Sequence, residues 1–149
     1  MIDSGGRVVH EIELALPRDE VFAFFTDAER LVRWLGLSAT LSPVPGGSFR
    51  FEVQPGHYCE GAYQQVDPPD FVSFTWGWTD PAWHLPPGSS LVSVRLTRTG
   101  TGTRVRLTHD QLPGDLRVIH DEGWTTFLTR LSAAAAGTDM PAYPPEGHP

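Results

Sequence analysis

Between Ala39 and His109 apolar side chains return at every second position, and Pro-Gly, Gly-Gly and Pro-Pro pairs cut the chain into short segments. A period of two cannot line one face of a helix, whose side chains repeat about every 3.6 residues, so this region is predicted as an antiparallel meander. Phe49, Phe51 and Val53 share one strand face, Cys59, Gly61 and Tyr63 the next, and Val72, Phe74, Trp76 and Trp78 a third. Val92, Val94 and Leu96 are expected to face Val105, Leu107 and His109 across a Thr-Gly-Thr-Gly hairpin at 99–102. Arg95, Arg98, Arg104 and Arg106 then fall mostly on the outer side.

The flanks of the meander read differently. Val8 to Leu16 alternates as a further strand, which makes about seven in all. Pro17, with Asp19 and Glu20 behind it, opens a helix that carries Val21, Phe22, Phe24 and Phe25. A second short helix is expected from an Asp27 cap through Leu31 and Trp34 to Gly36. Asp115 is the expected cap of a long helix ending near Gly137, with Leu116, Ile119, Gly123, Phe127 and Leu131 along its inner stripe and Trp124 and Leu128 beside it. Gly123 in mid-helix is expected to admit a strand or a bulky neighbour. The chain thus reads as one domain over 1–137 and a Pro/Gly-rich, loose tail over 138–149.

Composition removes several functions. A length of 149 residues suits one domain with one core. No apolar run reaches the roughly 18 residues of a membrane span, and residues 1–10 lack the apolar core of an export signal, so the cytoplasm is the expected location. A lone cysteine, Cys59, excludes an internal disulfide. A net charge of -7 with scattered arginines argues against nucleic acid as a partner. The six histidines form no helical i, i+4 pair and no Cys-His cluster beyond His57 and Cys59, so no metal is expected. With no P-loop, dinucleotide fingerprint or nucleophile elbow, no cofactor is expected either.

Five segments in order carry a resemblance: P-G-G-S-F-R-F at 45–51, E-G-A-Y-Q-Q-V-D-P-P at 60–69, V-S-F-T-W at 72–76, V-R-L-T-H at 105–109 and E-G-W-T-T-F-L-T-R-L at 122–131. They resemble the successive signatures of the heat-shock-protein-90 ATPase activator homologue-like family within the START-like (SRPBCC) superfamily, over about Val8 to Ala136. The resemblance implies an α+β helix-grip fold of the birch-pollen-allergen type, a curved antiparallel sheet around a long C-terminal helix. It also implies a cavity between sheet and helix, closed by the two short helices. The family holds ligand binders and one co-chaperone domain. The separate N-terminal domain of the eukaryotic co-chaperone has no counterpart in this sequence, so a chaperone partner is the less favoured implication.

Trp34, Phe51, Phe74, Trp76, Trp78 and Trp124 all fall on inward faces and are expected to line the cavity, although such rings also fill ordinary cores. Leu107, His120 and Phe127 complete the expected apolar and aromatic lining. His109 ends a strand face of Val105 and Leu107, where an imidazole could orient a ligand, move a proton or simply bond a backbone carbonyl. Tyr63 and Cys59 are polar points on the face of one strand, with the same structural alternative. Trp83 and Leu85 in the long 79–88 connection mark a possible lid or an ordinary loop packed on a neighbour.

The favoured function is therefore binding of a small, largely apolar or aromatic molecule. An alternative is a cyclase- or aromatase-like enzyme with His109 as acid or base, assisted by Tyr63 or His84. A third is an interaction module, chaperone-bound or homodimeric, which a space filled by Trp76, Trp78 and Trp124 would favour.

Overall fold

The computed structural model describes residues 1–138, so all of the expected 138–149 tail except Thr138 lies outside the described residues. The strands are β1 (Val8–Leu14), β2 (Ser38–Leu41), β3 (Ser48–Gln54), β4 (His57–Asp67), β5 (Phe71–Trp76), β6 (Ser90–Thr99) and β7 (Gly102–Asp110). Two short helices, α1 (Arg18–Thr26) and α2 (Ala28–Leu31), follow β1, and a long helix, α3 (Gly114–Ala135), follows β7. The seven strands form one antiparallel sheet in the order β1-β7-β6-β5-β4-β3-β2. Its hairpins join sequence neighbours except where β1 closes against β7, and a curved sheet carrying a long C-terminal helix is the helix-grip arrangement.

Strand register agrees with the period-two reading. Val92 pairs with His109, Val94 with Leu107 and Leu96 with Val105, all buried, while Arg95 sits opposite Arg106 on the solvent side. The outer face is tied by charge, with Glu11 bound to Arg106 and Glu13 to Arg104 across β1 and β7. Those pairs are about half exposed and add little stability, so the sheet rests on its buried face.

Both ends of the meander depart from expectation in instructive ways. Asp27 holds the cap position of α2 but its carboxylate caps nothing, and the regular helix stops at Leu31 rather than Gly36. The chain continues in turns whose amides still donate inward, Trp34 N–H to Leu31 O at 3.1 Å and Leu35 N–H to Leu31 O at 2.8 Å. Gly36 then reverses the chain at φ +89°, with Glu52 O only 2.6 Å from where a Cβ would stand, so a side chain is excluded there twice over. This tight reversal ends the helical path and starts β2.

In α3, Pro113 rather than Asp115 holds the cap position, and Asp115 instead lies in the first turn, where its charge suits the helix dipole. The buried residues of α3 are Leu116, His120, Trp124, Phe127, Leu128, Arg130, Leu131 and Ala134, with Arg130 Nε–H donating to Trp34 O at 3.3 Å. Ile119, expected to point inward, is 61% exposed, and nothing lies within 4 Å of a Cβ built on Gly123. The helix is rotated by one position relative to the expected stripe because the large ring of Trp124, not the gap at Gly123, seats it on the sheet.

Candidate binding site

The inner face of the sheet is a continuous bed of rings. Phe49 stacks on Phe74 with centroids 3.9 Å apart, and Tyr63 stands edge-on to Phe49 at 5.6 Å. Toward α3 the bed continues through Phe51 and Trp76 at 5.2 Å, and Trp76 meets Trp78 at 5.4 Å and Trp124 at 5.0 Å. Apart from the closer face-to-face stack of Phe49 on Phe74, these spacings are those of favourable tilted and edge-on aromatic pairs. The expected lining residues Phe51, Phe74, Trp76, Trp78, Leu107, Trp124 and Phe127 are all buried in this core. Trp76, Trp78 and Trp124 fill the space between sheet and helix in this conformation.

His109 and His120 are embedded in the same bed, with ring centroids 5.2 Å apart. An indole nitrogen can only donate, so the Trp124 Nε1–H bond of 3.0 Å makes His109 Nδ1 an acceptor. His109 Nε2 then carries the proton and donates to Ser90 Oγ at 2.8 Å, while the Ser90 hydroxyl donates to Trp76 O at 2.8 Å. By the same logic Trp78 Nε1–H donates to His120 Nε2 at 3.2 Å, and His120 Nδ1–H donates to Leu116 O at 2.9 Å. Each imidazole is neutral, in a single tautomer, with both nitrogens occupied. Burial pushes the His109 pKa well below the usual imidazole range, and the neighbouring His120 pushes it the same way. Burial also lowers His120, against an opposing hydrogen bond to Leu116.

The remaining polar candidates are engaged as well. Tyr63 donates its hydroxyl to Phe25 O at 2.8 Å and Trp34 donates to Phe24 O at 3.0 Å, so both pin α1 rather than face a vacant site. Burial drives the Tyr63 phenol and the Cys59 thiol upward in pKa, which leaves both neutral and unreactive in their present surroundings.

The 79–88 connection is packed onto the sheet rather than standing clear of it. Trp78 N–H donates to Leu85 O at 2.6 Å, Thr79 N–H to Tyr58 O at 2.9 Å, and Leu85 is buried. A Cβ on Gly77 would stand 1.8 Å from Pro86 O, so only glycine lets the returning chain lie this close. Asp80 caps the single 3-10 turn Pro81–Trp83 by accepting from Ala82 N–H at 2.9 Å. Half-buried Trp83 stacks on His57 at 5.0 Å and meets Trp78 edge-on at 5.0 Å. His84, expected to assist chemistry, is exposed at the end of this turn, outside the buried cluster.

Ser90 is not among the sequence-predicted site residues, and His57 enters there only beside Cys59, as too small a group to hold a metal. Ser90 continues the inward phase of Val92, Val94 and Leu96 by one step, which was the available signal for its contact with His109. His57 becomes part of the cluster only through the fold of the 79–88 connection. A separate open hollow of about 400 Å3 is lined by residues including Ser48, Arg50, Glu60, Thr75 and Gly88, and by none of the expected site residues.

Residues 15–136 match the family model described as Activator of Hsp90 ATPase homolog 1-like protein. No curated protein matches the chain. An AHSA1-like protein from Rhizobium etli, solved in solution, is 36% identical over 100% of this chain and 95% of its own, with a TM-score of 0.71. DynU16, a protein of the dynemicin biosynthetic locus, is 23% identical with a TM-score of 0.76; the match covers 89% of this chain but only 48% of DynU16, about half its length. The Aha1 dimer from Colwellia psychrerythraea is 20% identical over 87% of this chain and 95% of its own, with a TM-score of 0.74. The last two likenesses are of fold alone.

Proposed function

Because the chain belongs to the Activator of Hsp90 ATPase homolog 1-like family of START-like (SRPBCC) proteins, we propose that it binds a small, largely apolar or aromatic molecule between the sheet and α3. The observation that carries this reading is the continuity of the aromatic bed from core to surface. Trp76 touches Trp78, Trp78 touches Trp83, and Trp83 lies on His57, with Trp83 and His57 only half-buried. A flat apolar molecule taking the place of Trp83 against His57 and Trp78 would meet aromatic surface onward through Trp76 to Phe49 and Phe51.

Binding is favoured over turnover. A general acid or base must offer a nitrogen or oxygen to the substrate, and His109, His120 and Tyr63 have theirs committed to protein partners. A second reading, a homodimeric interaction module, is supported by the mutual contact of Trp76, Trp78 and Trp124 and by apolar side chains left in solvent. Val118 and Ile119 on α3 are 55% and 61% exposed. Docking on a chaperone would rest on the family description alone.

Native mass spectrometry of freshly purified protein, compared with its denatured mass, separates the readings. A small molecule released on denaturation is the expected result. A protomer free of ligand and present as a dimer, still bare after incubation with flat aromatic ketones and lipids, would replace ligand binding with the interaction module.

A further inference from the structure

Four tryptophans are buried in this domain, and three have a partner for the indole proton. Trp34 donates to Phe24 O, Trp78 to His120 Nε2 and Trp124 to His109 Nδ1. Trp76 is the exception. Its side chain is 1% exposed, and its Nε1 is buried with no hydrogen-bond partner among the described residues. A buried donor left unpaired forfeits the bond it had with water, and native interiors rarely leave one without reason.

The surroundings of Trp76 show that the chain does not supply the missing acceptor from nearby side chains. Its ring neighbours are Phe49, Phe51, Phe74, Trp78, His109 and Trp124. The carbon rings have no lone pair to offer, the two other indoles can only donate, and both nitrogens of His109 are already bonded. All six of these rings are neutral, so none of them would balance the charge of an ionised acceptor buried against the indole.

On the reading that this interior binds a small molecule, we infer that the ligand is a flat, uncharged aromatic compound carrying an oxygen acceptor, such as a ketone or quinone carbonyl, that takes the Trp76 indole proton. A carboxylate is disfavoured by its desolvation. An amine in its ammonium form has no lone pair to accept with. A plain hydrocarbon would fit the rings but leave the donor unpaired, so the oxygen is what the site selects.

Fluorenone and fluorene test this, because both are flat tricyclic compounds and differ in a carbonyl against a methylene. Binding is measured to the full chain and to Trp76→Phe, and the indole proton resonances are followed in protein labelled with 15N-tryptophan. The expected result is about tenfold tighter binding of fluorenone than of fluorene to the parent protein. Trp76→Phe should bind the two alike, and the Trp76 indole proton should shift downfield with fluorenone only. Equal affinity of the parent protein for both compounds, or an undiminished preference in Trp76→Phe, overturns the inference and leaves small-molecule binding standing. An indole resonance already shifted downfield in ligand-free protein identifies a trapped water as the partner and overturns it too. Binding of neither compound overturns the inference and the small-molecule reading together.

Discussion

Replacing His109 by Leu removes the acceptor of Trp124 Nε1–H while leaving that indole buried, whereas the Ser90 hydroxyl keeps its bond to Trp76 O. The expected cost is about 2 kcal/mol of unfolding free energy in urea, the ordinary penalty for one orphaned buried donor. Adding Trp124→Phe removes the orphan, so the double variant should lose less than the sum of the two single changes; strict additivity would show that the bond carries no weight. Protons give a second test of the same residue. The folded pKa of His109 and of His120 lies below the ordinary imidazole value of 6.5, so between those values the unfolded chain binds more protons than the folded one. Stability is therefore complete above about pH 6.5 and falls as the pH drops, by up to about 1.4 kcal/mol per pH unit for each histidine. Urea midpoints between pH 8 and 5 should be level and then decline, with a shallower decline in His109→Leu; a level profile to pH 5 would overturn the neutral assignment. The sequence placed His109 on the inner face by its phase with Val105 and Leu107. Which nitrogen bonds what depends on Trp124 and Ser90, which lie 15 and 19 positions away. No local pattern encodes that pairing.

Elements were legible to the degree that their periodicity was strict. The β6–β7 hairpin, with period two and a Gly-Thr turn, has the register its sequence implies, because slipping by one residue would turn Val94 and Leu107 to solvent. The α3 stripe was read one position off, since Ile119 and Gly123 fit an i, i+4 track as well as His120 and Trp124 do. Only contact with the sheet decides between two adjacent tracks, and a buried tryptophan outweighs an isoleucine. The correction has a measurable consequence at Gly123. Nothing lies within 4 Å of an added Cβ there, and the position is inside a helix. Gly123→Ala should therefore raise stability by roughly 0.5 to 1 kcal/mol through the lost freedom of the unfolded chain. Leu131→Ala, at a position with no exposed surface, should lower it by about 2 to 5 kcal/mol. A destabilised Gly123→Ala protein would mean that the helix packs through this face after all.

For the molecule as a whole, the question is whether the ring-filled interior is the resting form of a binding protein or a finished core. The two differ in how stability depends on what is added. A ligand that binds only the folded state stabilises it by RT ln(1 + [L]/Kd), about 2.7 kcal/mol at a hundred times Kd, and that gain disappears when the ligand is removed. Protein unfolded, extracted with organic solvent and refolded should then melt several degrees below protein as first purified. Returning the extract should restore the difference, at any protein concentration. If instead the exposed Val118 and Ile119 are covered by a second copy, extraction changes nothing and the melting temperature rises with protein concentration. Ile119→Glu would abolish that rise by placing a charge in the contact, while leaving a ligand-binding monomer unaffected because Ile119 points away from the sheet. The expected outcome is the first: a melting temperature that follows the extract and not the protein concentration, with Ile119→Glu behaving as the parent protein does.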